Sequence, residues 1–233
     1  MKINAEFNQR VVVHSADMEW IDSPMAGVSR RPLDRVGSEI ARATSVVRYA
    51  KGSHFSPHVH TGGEEFIVLE GVFQDEHGDF PRGSYIRNPP KSSHTPSSKS
   101  GCIILVKLWQ FRSQDPTHVR LNANFMKPTP HRKLDGVSVT PLYFDDSEEV
   151  SIQDWQSQAE VSLTANQGIE IFVLEGSFTE SGDTLKKHSW LRLPVGSAFK
   201  AKAGSDGTKV WIKQHHLNRV DEEVKRIQEA NNK

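Results

Sequence analysis

The 233-residue chain has one cysteine, Cys102. A single thiol excludes an intrachain disulfide and any cysteine-based zinc module. Long apolar runs are missing as well. None approaches the length that spans a bilayer, and the N-terminus, MKINAEFNQR, has no apolar signal core. A cytoplasmic protein without a membrane partner is the expectation. Net charge is also absent, because 29 basic and 29 acidic side chains cancel. A general nucleic-acid binder carries a basic excess, so no nucleic-acid partner is expected. Helical periodicity is scarce. Only the stretch from about Asn218 to Ala230 puts Val220, Val224 and Ile227 on one face.

What the chain does have is a series of short apolar runs rich in Val, Ile, Phe and Trp, separated by turn residues. They cover Arg10 to His14, Ala43 to Tyr49, Glu65 to Phe73, Cys102 to Phe111, Val137 to Phe144, Glu170 to Phe178 and Lys209 to Lys213. Many short strands at regular spacing predict an all-β sandwich or barrel with one C-terminal helix.

The runs repeat. Glu64 to Phe73 reads EEFIVLEGVF, and 105 residues later Ile169 to Phe178 reads IEIFVLEGSF. Pro89 and Ser92 find counterparts in Pro194 and Ser197 at the same offset. Two similar units imply a duplicated domain. Asp115-Pro116, Lys127-Pro128 and Thr129-Pro130 interrupt regular structure between them. The expected domains are therefore 1–125 and 126–233. The N-terminal extension either packs on its own barrel or reaches the second.

The chemistry is concentrated in Gly52 to Gly71, GSHFSPHVHTGGEEFIVLEG. His58 and His60 are two apart, so on an extended strand both imidazoles point to one side. Glu64 follows a Gly-Gly turn. Two imidazoles and a carboxylate in this arrangement suggest metal ligands. His94, in NPPKSSH, is the candidate fourth ligand from another strand. Glu65 is the rival to Glu64, but it recurs as Glu170 in the second unit, which points to a structural role.

These spacings resemble the cupin superfamily. Its first motif is met at Gly52, His58, His60, Glu64 and Gly71. Its second is met at Gly83, Pro89 and His94, with Lys91 where a turn glycine is expected and Ser98 where Asn is expected. The resemblance narrows to the cupin domain of the ChrR anti-sigma family, through ARATSVVRYAKGSHF, HVHTGGEEFIVLEGVFQDEHGDFPRGSYIRNPP, SSHTPSS and GCIILVKLWQF. It implies a duplicated jelly-roll barrel, a bicupin, with one divalent metal ion in the N-terminal cupin on the residues matching His58, His60, Glu64 and His94. Zinc and iron are the expected ions, with nickel and manganese compatible. At the same offset the four positions become Leu163, Ala165, Ile169 and Phe199. The second cupin is thus expected to be metal-free, with a packed or ligand-binding interior.

The family's sigma-binding zinc module needs His and Cys-x-x-Cys near the N-terminus. Here no cysteine precedes Cys102, and His14 is the one histidine in the first fifty residues. A sigma-factor partner by that route is not expected. Two functions follow from the resemblance. One is a regulatory protein sensing a small ligand or stress. The other is a non-haem dioxygenase cleaving a diketone or hydroxyketone, as in the acetylacetone and dihydroxyacetophenone types. Either has a small-molecule ligand or substrate, and a homodimer is compatible with both.

Among the remaining residues, Cys102 reads as a small core residue and His54 as a rim residue. His77, with Asp75, Glu76 and Asp79, reads as a solvated turn. His215-His216 reads as surface.

Overall fold

The computed structural model describes residues 1–232. It is almost wholly antiparallel β-structure with one α-helix, Val220–Asn231. Contacts divide it into two units. The first comprises Met1–Ala5, Glu19–Phe125 and Asp221–Lys233; the second comprises Glu6–Met18 and Met126–Val220. These differ from the contiguous ranges 1–125 and 126–233 by two segments, each taken up by the other half of the chain.

In the first unit the main sheet runs in the order Lys2–Ile3, Val28–Gly37, Ala41–Tyr49, Cys102–Leu108, Glu64–Asp75, Ser84–Asn88, Val119–Asn122. Alternation along these strands puts Phe66, Val68, Phe73, Ile86, Ile104 and Val106 into one core. Cys102 belongs to that core. Burial pushes its thiol up to about 11, partly offset by a hydrogen bond with Ser98. Helix Val220–Asn231 is held to this unit at both ends. Arg42 Nε donates to Glu223 at 2.7 Å, and Ser38 Oγ donates to Asn231 Oδ1 at 2.7 Å.

In the second unit the order is Thr129–Pro130, Val137–Phe144, Glu149–Trp155, Ser197–Gln214, Ile169–Glu180, Ser189–Leu193, Val11–His14. Its core gathers Trp155, Val161, Ile171, Phe178, Phe199 and Ile212.

The two sheets share one plan. Ser84–Asn88 is flanked by Val119–Asn122, with Tyr85 opposite Leu121. Ser189–Leu193 is flanked in the same way by Val11–His14, with Trp190 opposite Val13. A 3₁₀ turn follows each flanking strand, Ala123–Phe125 and Ser15–Asp17. The N-terminal extension therefore supplies the second unit with the strand that the first unit takes from its own C-terminal end.

The repeated Leu-Glu-Gly has a backbone cause. Gly71 and Gly176 both have φ of +71°, and an added Cβ would meet Gly101 O at 2.0 Å and Gly207 O at 2.1 Å. Each glycine sits beside a register shift in its sheet, where an L side chain has no room. The shared Glu also has a common role. Glu65 Oε1 accepts from Tyr85 OH at 2.5 Å, and Glu170 Oε2 accepts from Trp190 Nε1 at 3.2 Å. Tyr85 and Trp190 are themselves equivalent in the repeat, so Glu65 is the structural carboxylate. His216 departs from the sequence reading. It is buried, with Nε2 3.0 Å from Glu170 Oε1, because the chain turns inward through Leu217–Arg219 before the helix.

Candidate metal centre

Two short strands carry the histidines. His58–Val59 pairs with Ser93–His94, placing His58 directly opposite His94. His60 leaves the strand and donates its N–H to Ser92 O at 2.9 Å. The chain then turns at Gly62-Gly63. Gly63 has φ of +80°, and a Cβ on Gly62 would lie 2.1 Å from Trp109 Cδ2. The turn is thus closed by a tryptophan ring that only glycine accommodates. Glu64 opens the next long strand, opposite Asn88. Lys91, at the position where the motif has glycine, takes φ of +73° and keeps the left-handed turn despite its side chain.

The three rings converge. Centroids are 4.9 Å apart for His58 and His60, 5.0 Å for His58 and His94, and 4.6 Å for His60 and His94. One nitrogen from each ring lies within 4.8 Å of the other two. An ion at about 2.0–2.1 Å from each nitrogen needs them no more than about 4.2 Å apart, which small rotations of the rings in this cluster provide. Glu64 Oε2 stands 3.5 Å from His60 Nε2 and 3.6 Å from His94 Nε2. Both of those nitrogens are buried and have no hydrogen-bond partner. Two orphaned acceptors facing one carboxylate are costly in an empty pocket and are satisfied by a cation. His58 is exposed, so the cluster opens to solvent on its side.

The surroundings tune each ring differently. Burial lowers the His60 pKa, and the attraction of Glu64 does not overcome it. Burial also acts against charge on His94, but a hydrogen bond to Asp75 and the charges of Glu64, Asp75 and Glu76 outweigh it, and its pKa is raised. Asp75 Oδ2 lies 3.2 Å from His94 Nδ1. Asp75 is itself held by its acceptance of His77 N–H at 2.7 Å. Burial pushes the Asp75 pKa up, but the bonds to His94 and His77 prevail and leave it lowered. A carboxylate on Nδ1 leaves Nε2 as the lone-pair nitrogen turned toward the cluster.

Of the four residues singled out in the sequence, the structure brings His58, His60 and His94 together and sets Glu64 against two of them. The role of Asp75 was not visible in the sequence, where the DEHGD stretch reads as a turn. His77 and Asp79 are exposed there, but Asp75 reaches back to His94. Asn88 is the other residue missed. Its Nδ2 donates to Glu64 Oε2 at 3.3 Å. Its place just before Pro89 in the sequence does not reveal that role, but the strand register opposite Glu64 does. His54 lies outside the cluster, as expected of a rim residue, and pairs with Ser97.

Residues 8–112 match the model of the ChrR cupin-like domain. That stretch is a ChrR-like cupin domain. No curated protein matches the sequence significantly. Among solved structures, the chain is similar to a candidate dioxygenase from Nostoc punctiforme, with TM-score 0.74 and 14% identity over 91% of this chain and 84% of that one. It is also similar to the bacterial pirin YhhW from Escherichia coli in complex with nickel(II), with TM-score 0.64 and 13% identity over 88% and 98%. A third is the oxalate decarboxylase of Lactobacillus farciminis in a formate complex, with TM-score 0.63 and 10% identity over 88% and 86%. At these identities the likeness is one of fold, and the fold is the cupin jelly roll. No described helix is long and apolar enough to cross a membrane.

Proposed function

We propose that this protein is a metal-dependent bicupin that senses a small oxygen-donor ligand at the ion held by His58, His60, Glu64 and His94. The observation that carries the reading is the pair of buried, unpartnered Nε2 atoms of His60 and His94 facing Glu64, with His58 exposed beside them. A purely structural ion has its coordination closed by protein. Here the open side leaves room for water or a chelating ligand. Zinc and iron suit this donor set, and nickel and manganese are compatible with it. A bound divalent ion supplies Lewis acidity and, if redox-active, electrons. The chain's own residues do the rest. Asp75 orients His94, Asn88 holds Glu64, and Trp109 packs on the Gly62 turn that carries His60.

A second reading is a dioxygenase cleaving a diketone or hydroxyketone. It is favoured by the likeness in fold to the candidate dioxygenase from Nostoc punctiforme. Metal analysis of protein purified without added metal, then anaerobic Fe(II) loading and oxygen-uptake assays on β-diketones and hydroxyketones, separates the two. Ligand binding without oxygen uptake is the expected result. Uptake coupled to substrate loss would favour the dioxygenase. Unchanged metal content in His58→Ala/His94→Ala would remove the site altogether.

A further inference from the structure

The second cupin has lost the ligand set but not the space around it. In the first unit His58 lies opposite His94; in the second, Leu163 lies opposite Phe199 at the equivalent register. Phe199 is fully buried in the core, and Leu163 packs against that core from its edge. Leu163 also forms part of the wall of a cavity of about 670 Å³, within the range that holds small organic ligands. The cavity therefore opens beside the place where the metal ligands stand in the other unit.

Its lining has two characters. One side is apolar at Val139, Pro141 and Leu163. Inward-facing polar groups sit beside them on strand Glu149–Trp155. Gln153 is buried and lines the cavity, and its Oε1 already accepts from Trp155 Nε1 at 3.0 Å, so its amide NH₂ is the group left to donate. Ser151 follows on the same face by strand alternation, and its Oγ is buried with no hydrogen-bond partner. The outer side is basic. Arg132 and Lys133 lie at the rim with His131 and His215, against the single carboxylate of Glu149.

We propose that the second barrel binds a small organic carboxylate in this cavity without a metal. The hydrocarbon part lies over Leu163 and Val139, the Gln153 amide donates to the ligand, and the carboxylate is drawn to Arg132 and Lys133. Guanidinium and ammonium groups favour an anion there, and the apolar wall favours one with a hydrocarbon body rather than an inorganic ion. The inference is independent of the function proposed for the first cupin.

Calorimetric titration of the full chain with acetate, hexanoate and benzoate, with benzamide as the neutral control, tests it. Saturable binding of benzoate or hexanoate is expected, and it should weaken about tenfold in Arg132→Ala/Lys133→Ala, as loss of one or two partly exposed charge contacts implies. Both side chains are exposed, so that variant keeps its fold. Leu163→Trp, which fills the cavity from its wall, should abolish binding, while His58→Ala and chelation of metal should leave it unchanged. Binding of benzamide as tight as benzoate, indifference to the double substitution, loss of binding in His58→Ala, or no binding by any of the carboxylates would overturn the proposal.

Discussion

Asp75 Oδ2 stands 3.2 Å from His94 Nδ1, and this contact decides which nitrogen His94 offers to an ion. An ionised carboxylate only accepts, so the proton belongs on Nδ1 and the lone pair on Nε2. Asp75→Ala should weaken zinc binding about ten- to a hundredfold while the apo protein stays folded. Asp75→Asn, whose carbonyl oxygen can still accept from Nδ1, should recover part of the affinity. Competition titration with a chromophoric chelator measures both.

Metal affinity should depend on pH through His94. Its pKa lies above the ordinary imidazole range because the bond to Asp75 and the neighbouring carboxylates outweigh burial, whereas burial keeps His60 low. An imidazole must lose its proton to ligate, so His94 is the ring from which an ion displaces a proton. Affinity should rise with pH through and somewhat above the usual imidazole range, then level off. In Asp75→Ala the plateau should begin at lower pH.

Gly62→Ala should disturb the centre from behind. The new Cβ would lie 2.1 Å from the Trp109 ring, and the turn also carries His60. The expected cost is about 1–3 kcal/mol from overpacking. Denaturant unfolding should show that loss, and metal affinity should fall with it.

Cys102 gives a signature at alkaline pH. Its thiol titrates at about 11 in the fold, above the 9.0 of an exposed thiol. Below pH 9 the thiol is neutral in both states and its contribution is complete. As pH rises toward 11, the unfolded chain gives up the proton first and stability falls. The loss is about 2–3 kcal/mol over that window. Comparison of unfolding curves for Cys102→Ala and the parent chain from pH 8 to pH 11 isolates it, because the variant lacks this component.

Glu223 should be the most sensitive position of the C-terminal helix. Arg42 bonds it at 2.7 Å and Asp34 at 3.3 Å, with all three side chains buried. Glu223→Ala leaves a buried guanidinium short of one carboxylate, at a cost of about 3–5 kcal/mol. Tryptophan fluorescence during urea unfolding should register it. Exposed Glu222→Ala is the control and should change little.

The parts of this molecule that were legible in its sequence share a local cause. The His58-x-His60 spacing follows strand alternation, and the Leu-Glu-Gly repeat follows a bulge that admits only glycine at Gly71 and Gly176. The strand Val137–Phe144 ends where its apolar run ends. Lys91 stands where the motif has a turn glycine, and its φ of +73° shows that the left-handed turn is kept. What escaped is set by distance along the chain. Asp75 meets His94 across a hairpin, so a stretch of acidic residues looks like a solvated turn until the register is known. The likeness of Val11–Asp17 to Val119–Phe125 is hidden because the side chains differ while the strand and its following turn are kept. His216 looked exposed because it follows the last strand, but its partner Glu170 lies 46 residues earlier.

The exchanged ends also set an order of events during synthesis. Val11–His14 leaves the ribosome with its sheet edge still unmade, since Ser189, which pairs with His14, follows 175 residues later. Arg42 waits through 181 residues before Glu223 appears. The first barrel cannot close its contact set until that helix emerges, although N-terminal domains ordinarily fold first. Completion of the barrel that carries the histidine cluster is thereby coupled to emergence of Val220–Asn231, and a chain stalled before that helix leaves the buried Arg42 with Asp34 alone of its two acids.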